Sequence, residues 1–259
     1  MDVAWLASAS GIPEADLRSV SEGAPPLASQ LDALAPAFGF HAADLYAIAD
    51  VPVPAALTHG HPAAGSDIAS LVRITMALPS DQRTCVHRLV DQLPREPRDR
   101  PWDLPRTDSQ HDSGAGALLV NLLCGNRNLY SLSAAAKALA LLTDGRVYLA
   151  ASTIHGIGRG RVPLTPERVA GFATTLGISP GDLAAITSVE LPQPSWPDDP
   201  LTAEMARLLW NCRHLTAAQA EHAYDEVKSM LVAVPDDASS EEWNRVSRHQ
   251  GRWWGAPRR

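Results

Sequence analysis

The sequence predicts an all-α protein built from two diverged copies of one helical unit, each followed by a helical hairpin. Three observations carry that expectation. The stretch Ser29–Pro54 recurs without a gap at Glu167–Pro192. Apolar residues return at spacings of three and four, the period of a helix with one buried face. Aromatics make up only 5% of the chain and β-branched runs are scarce, which disfavours sheet.

In the repeat, Leu31, Leu34 and Ala35 match Val169, Phe172 and Ala173. Phe38-Gly39-Phe40 matches Leu176-Gly177-Ile178, and Asp44-Leu45 matches Asp182-Leu183. Ile48, Val51 and Pro54 match Ile186, Val189 and Pro192. Upstream, with a one-residue slip, Leu17, Val20, Gly23 and Pro26 fall on Ile154, Ile157, Gly160 and Pro163. Downstream, Leu71–Leu93 echoes Leu208–Leu231 as helix, short break, helix. Self-similarity of this kind marks duplicated supersecondary units.

Each element of copy one has a local cause. Val3–Ser10 is a short helix with Val3, Leu6 and Ala7 on one face, closed by Gly11, which tolerates positive φ. Ile12-Pro13 opens a second helix, with Leu17 and Val20 inward and Gly23 at its end. Leu27–Phe38 is a third, amphipathic helix capped by Gly39, and Ala42–Ala49 a fourth. Copy two carries a candidate extra helix in Ala117–Ser131 and a longer turn, Asp144–Thr153, between its paired helices. Two hairpins follow the heads. The acids of Trp196–Pro200 read as the N-cap region of the helix starting at Leu201. The expected organisation is a head over 1–58, a hairpin over 66–94, a linker over 95–116, a second head over 117–192, a hairpin over 200–233 and a basic tail over 240–259. The linker is rich in Pro and charge and poor in apolar residues, hence extended.

Composition narrows the function classes. No apolar run approaches the ~18 residues of a membrane span. The N-terminus lacks the basic-then-apolar pattern of a secretory signal, so a cytoplasmic protein is expected. Cys85, Cys124 and Cys212 lie far apart, form no metal-ligand set, and read as reduced thiols. The His59–Pro62 segment, HGHP, lacks further ligands for a metal. GIGRG follows no strand, so it is no dinucleotide site. No Ser/His/Asp or Cys/His spacing points to catalysis, and no cofactor or enzyme activity is expected.

Helix, Gly turn, helix, loop, helix, Gly, helix is the order of a Cro/C1-type (XRE) helix-turn-helix domain. The residues that carry this resemblance are LASASGIPEADLRSVSEG followed by LDALAPAFGFHAADLYAIA. Copy one lacks the first helix usual in such domains. The longer turn, the stretch GRGRVPLTPERVAGFATTLGI and the trailing helix-break-helix resemble the EspR-like nucleoid-associated secretion regulators of mycobacteria. Ala, Arg, Pro and Gly usage is similar to that of high-GC actinobacterial proteins. The resemblance implies a DNA-binding transcriptional regulator or nucleoid-associated protein, dimeric through its hairpins.

The net charge of −7 is unevenly spread. Copy one, to Thr58, holds seven acids against one base, Arg18, and its second helix presents Glu14, Asp16 and Glu22. Phosphates would repel that surface, so this helix-turn-helix is degenerate. Copy two, over 115–192, holds six bases against four acids. Around Ile154 and Ile157 lie Ser152, Thr153, His155, Gly156 and Arg159, then Arg161, with no acid among them. A recognition helix offers such side chains to the major groove. Thr153 and His155 are the candidate base contacts, with Arg159 and Arg161 on phosphate or guanine. Backbone N–H groups of the Gly156–Gly160 run are candidate phosphate donors. Arg127 and Arg146 complete the candidate DNA-binding set. The tail residues Arg245, Arg248 and Arg252 are candidate backbone contacts, since 244–259 holds five bases and no acid.

A two-helix hairpin cannot bury both faces alone, so it must dock. The hairpins can pair within one chain, as a built-in pseudo-dimer, or between chains, as the homodimer that the resemblance favours. The alternative function is a protein–protein adaptor or anti-repressor that keeps the helical scaffold without binding DNA.

Overall fold

The computed structural model describes residues 2–58, 62–95, 114–191, 196–197 and 199–231. Among them are thirteen α-helices, one 3-10 turn (Pro62–Ala64) and no strand. None of these helices is long and apolar enough to cross a membrane. The chain divides into two units, Met1–Thr58 and His59–Arg259.

The first unit holds α1 (Val3–Ser10), α2 (Glu14–Ser21), α3 (Ala28–Phe38) and α4 (Ala42–Ile48). Asp2 caps α1, its carboxylate accepting from the Ala4 amide at 3.1 Å. Gly11 and Gly39 end α1 and α3 in the left-handed conformation, both at φ +72°. Leu17, Leu31, Leu34, Ala35, Leu45 and Tyr46 form its core. Tyr46 is buried, and its hydroxyl donates to the Ala28 carbonyl at 2.9 Å.

The second unit opens with the hairpin α5 (Gly65–Thr75) and α6 (Ser80–Gln92). The head follows: α7 (Ala115–Cys124), α8 (Leu132–Leu142), α9 (Ala151–Gly158), α10 (Pro166–Leu176) and α11 (Pro180–Thr187). The second hairpin is α12 (Pro200–Cys212) and α13 (Ala217–Met230). The repeat pairs α1 to α4 with α8 to α11. Leu31/Val169, Leu34/Phe172, Ala35/Ala173, Leu17/Ile154 and Leu45/Leu183 are all buried in both copies. Asp199 caps α12 by accepting from the Leu201 amide at 3.1 Å, as the acid cluster led one to expect.

The first hairpin belongs with the second head, not with copy one. α5 packs on α13, α12 and α8, and α6 packs on α12 and α13. Ile68, Leu71, Val72, Val86 and Val90 close against the layer that holds Met205, Leu208, Leu209, Ala223 and Val227, all at most 1% exposed. The polar rim closes too. Arg83 Nε donates to Glu204 at 2.9 Å, Asn211 to Asp91 at 3.1 Å and Gln219 to the Pro94 carbonyl at 2.7 Å. The two apolar stripes thus cover one another inside one chain. Of the two arrangements left open by the sequence, the described residues show the intrachain pairing of these faces. Sedimentation of the purified chain should therefore give the mass of one chain at micromolar concentration.

Two histidines sit at this seam. His87 on α6 lies 3.6 Å from Glu204, beyond hydrogen-bonding reach, and burial lowers its pKa more than that carboxylate raises it. Arg207 and Arg83 lower it further, and Asp91 opposes them. His214, just past α12, is lowered by burial and then by Arg95 and Arg213. Both are therefore neutral in the fold at pH values where the unfolded chain begins to protonate. Their contribution to stability is fully present above 6.5, the usual value for a free histidine, and falls as pH drops below it. The urea midpoint of the full chain should decrease from pH 8 to pH 5.5. His87→Gln should shrink that decrease, and an unchanged pH dependence in this variant would rule His87 out as a cause.

Candidate nucleic-acid interface

α9 starts at Ala151, earlier than the turn expected from sequence, so Ser152 and Thr153 lie in its first turn. Its N-cap, Ala150, makes no side-chain cap, and no acid occupies its first turn. α2 is the opposite, with Glu14 and Asp16 in its first turn. The lone base of that copy, Arg18, is ion-paired with Glu14. A helix N-terminus attracts negative charge, and of these two helices only α9 leaves it without side-chain carboxylates.

Ile154, Gly156, Ile157 and Gly158 of α9 are buried, and the helix packs on α7 and α8. Gly116 of α7 permits the close approach: a Cβ there would stand 2.3 Å from the Ile157 carbonyl oxygen. At about 100° per residue, Ser152, His155 and Arg159 share the opposite stripe. Ser152 is exposed, and His155 and Arg159 are partly exposed. Arg161 follows and is exposed. Thr153 stands roughly a third of a turn off that stripe, so it does not group with His155 as the sequence reading placed it.

Two further expectations need correction. Gly156 is buried, and a Cβ there would lie 2.6 Å from Val162 Cγ2, so it serves packing and cannot meet a phosphate. The amides around it are spent inside the chain. Arg159 N–H donates to the His155 carbonyl, Gly160 N–H to Ile157, and both Arg161 and Val162 N–H to Gly156. The proposed cradle of backbone donors is therefore closed. Gly160 does take positive φ, +64°, which turns the chain out of α9.

Arg127 is fully buried and cannot touch a duplex. It lies in the turn between α7 and α8 and donates through Nη2 to the Leu176 carbonyl at the end of α10. Its guanidinium stacks 4.6 Å from the Trp210 ring centre, and Arg213 takes the same ring at 3.7 Å. Beside it, Asn128 donates to the Leu215 carbonyl at 3.4 Å, and a Cβ on Gly65 would meet the Asn128 carbonyl at 2.9 Å. The turn thus fastens the head to both hairpins.

Arg146 is exposed in the α8–α9 connection, 5.3 Å over the Trp196 ring. Tyr148 in the same connection is 73% exposed, and the sequence reading passed over it. A lone aromatic in an otherwise small turn was the signal available. Arg245, Arg248 and Arg252 lie outside the described residues, as do most of 95–116 and His59 to His61. Among the described residues, no group of three or more His, Cys, Asp or Glu is placed to hold a metal. The described cysteines are free thiols; burial pushes Cys124 up to about 12 and raises Cys212 as well. No protein-family model, curated protein or solved structure matches the chain.

Proposed function

We propose that the chain is a cytoplasmic, nucleoid-associated DNA-binding regulator of the Cro/C1 helix-turn-helix type, with α8 and α9 as its reading pair. α1 and α2 are the diverged, acidic counterpart. One observation carries the reading: the outward stripe of α9 holds Ser152, His155 and Arg159, with Arg161 beyond, and no carboxylate stands among them. The major groove admits a helix whose exposed side chains donate to base edges and phosphates. Ser152 and His155 take the base-edge role, and Arg159 and Arg161 the phosphates or a guanine.

Because the hairpins close within one chain, each molecule offers one basic head. Its preferred site is then a single asymmetric element rather than a palindrome, since palindromic operators mirror two-fold protein symmetry. Selection from a random duplex pool, followed by anisotropy titration across salt, tests both statements. Expected are a short non-repeated motif and an affinity that falls steeply with salt.

The acidic unit favours a second reading, a protein adaptor. Trp5 is 51% exposed and Leu27 64% exposed on a unit that no duplex would approach. A chain with no salt-dependent affinity for any duplex, yet with a protein partner held through Trp5 and Leu27, would replace the DNA reading by this one.

A further inference from the structure

The connection from α8 to α9 is built to hold two side chains outward. Gly145 N–H donates to the Ala140 carbonyl at 2.8 Å and Arg146 N–H to Thr143 at 3.0 Å. The Thr143 hydroxyl donates to Leu139 at 2.7 Å and accepts from the Val147 amide at 3.1 Å. Asp144 and Gly145 take positive φ, +49° and +76°, which reverses the chain. Val147 is only 4% exposed and is seated where Gly171 of α10 leaves room; a Cβ on Gly171 would stand 2.6 Å from Val147 Cγ2. Val147 pins the middle of the connection, and its two neighbours, Arg146 and Tyr148, are both exposed.

The core does not explain Tyr148. An aromatic ring left 73% in solvent forgoes the burial that would stabilise it. Arg146 is held rather than loose, its guanidinium resting on Trp196, which precedes α12. The turn's carboxylate, Asp144, lies at its α8 end, whereas Arg146 and Tyr148 lie towards α9. An arginine and a phenol, fixed on a short turn beside a helix that enters the groove, suit the ridge of phosphates that borders that groove. Both side chains are common donors to phosphate oxygens.

We propose that the α8–α9 connection is a second contact element that grips the sugar–phosphate backbone of duplex DNA flanking the groove occupied by α9. Arg146 pairs with a phosphate, and Tyr148 donates its hydroxyl to the same strand. This inference rests on the reading of α9 as the groove-entering helix. A backbone grip adds affinity without selecting sequence, and each phosphate pairing adds to the salt dependence.

The test is anisotropy titration of the full chain on its selected duplex and on an unrelated duplex, over a range of salt. Arg146→Ala should weaken both complexes by a similar factor, on the order of three- to tenfold, and lower the salt slope by about one. Tyr148→Phe, which removes only the hydroxyl, should weaken both about two- to threefold. Melting temperatures should stay at the parent value, because both side chains are exposed. If both variants bind with parent affinity and slope while Arg159→Ala weakens binding, the second contact is wrong and the α9 reading stands. If the parent chain has no salt-dependent affinity for either duplex, the α9 reading and this inference fail together.

Discussion

Changing Arg159 and Arg161 together to alanine is expected to weaken duplex binding roughly tenfold to a hundredfold and to flatten its salt dependence by about two units of slope. Arg159 closes α9 at its C-cap, and Arg161 is exposed two residues later. Neither belongs to the core, so the fold should survive with an unchanged melting temperature. Each neutralises about one phosphate in the proposed complex, and each released counterion contributes about 0.9 to the slope. A loss of affinity that is equal at low and high salt would assign these arginines to base readout instead. Parent affinity at every salt concentration would remove both from the interface.

The second large effect is structural and reaches the site. Gly116→Ala should cost about 2–3 kcal/mol of stability and weaken DNA binding with it. The added Cβ would meet the Ile157 carbonyl oxygen at 2.3 Å. That oxygen is backbone inside α9, so no rotamer change relieves the contact, and one helix must move. Denaturant unfolding reads the stability, and anisotropy reads the displacement of α9. Gly145→Ala is the matched control. A Cβ there meets nothing within 4 Å, but the positive φ of +76° strains any L side chain, so about 1 kcal/mol is expected. Equal losses in the two variants would mean that the α7–α9 crossing is looser than its geometry implies.

Local pattern was readable because its causes are local. The end of α3 at Gly39 and of α10 at Gly177 follows from a residue that accepts left-handed backbone, φ +72° and +68°. Five of the apolar positions shared by the two copies, Leu17/Ile154 to Leu45/Leu183, are buried in both because helical period places them on one face. Of the candidate site, the acid-free set Ser152, His155, Arg159 and Arg161 was legible as charge and spacing. The placement of Thr153 was not, since the starting residue of α9 shifted the turn boundary, and one residue on a helix changes the face by about 100°.

Charge type did not tell where charge would sit. Arg127 and Arg146 look alike in the chain, two bases in loops of the second head. Arg127 is enclosed by the end of α10 and the Trp210 ring, whereas Arg146 stands in solvent on Trp196. Partners 49 and more residues away make that difference, and no local rule reports them.

The sequence alone determined that the described residues are all helical, that α1, α3 and α10 end at glycine, and that the first stretch is acidic where the second is basic. These follow from backbone preference, apolar period and the sum of nearby charges. Tertiary structure alone decided that the first hairpin leaves its own head and closes on the second, that Arg127 is a structural bolt, and that Tyr148 stands out beside α9. An apolar stripe demands a cover but does not name it, and only the assembled chain shows which surfaces meet.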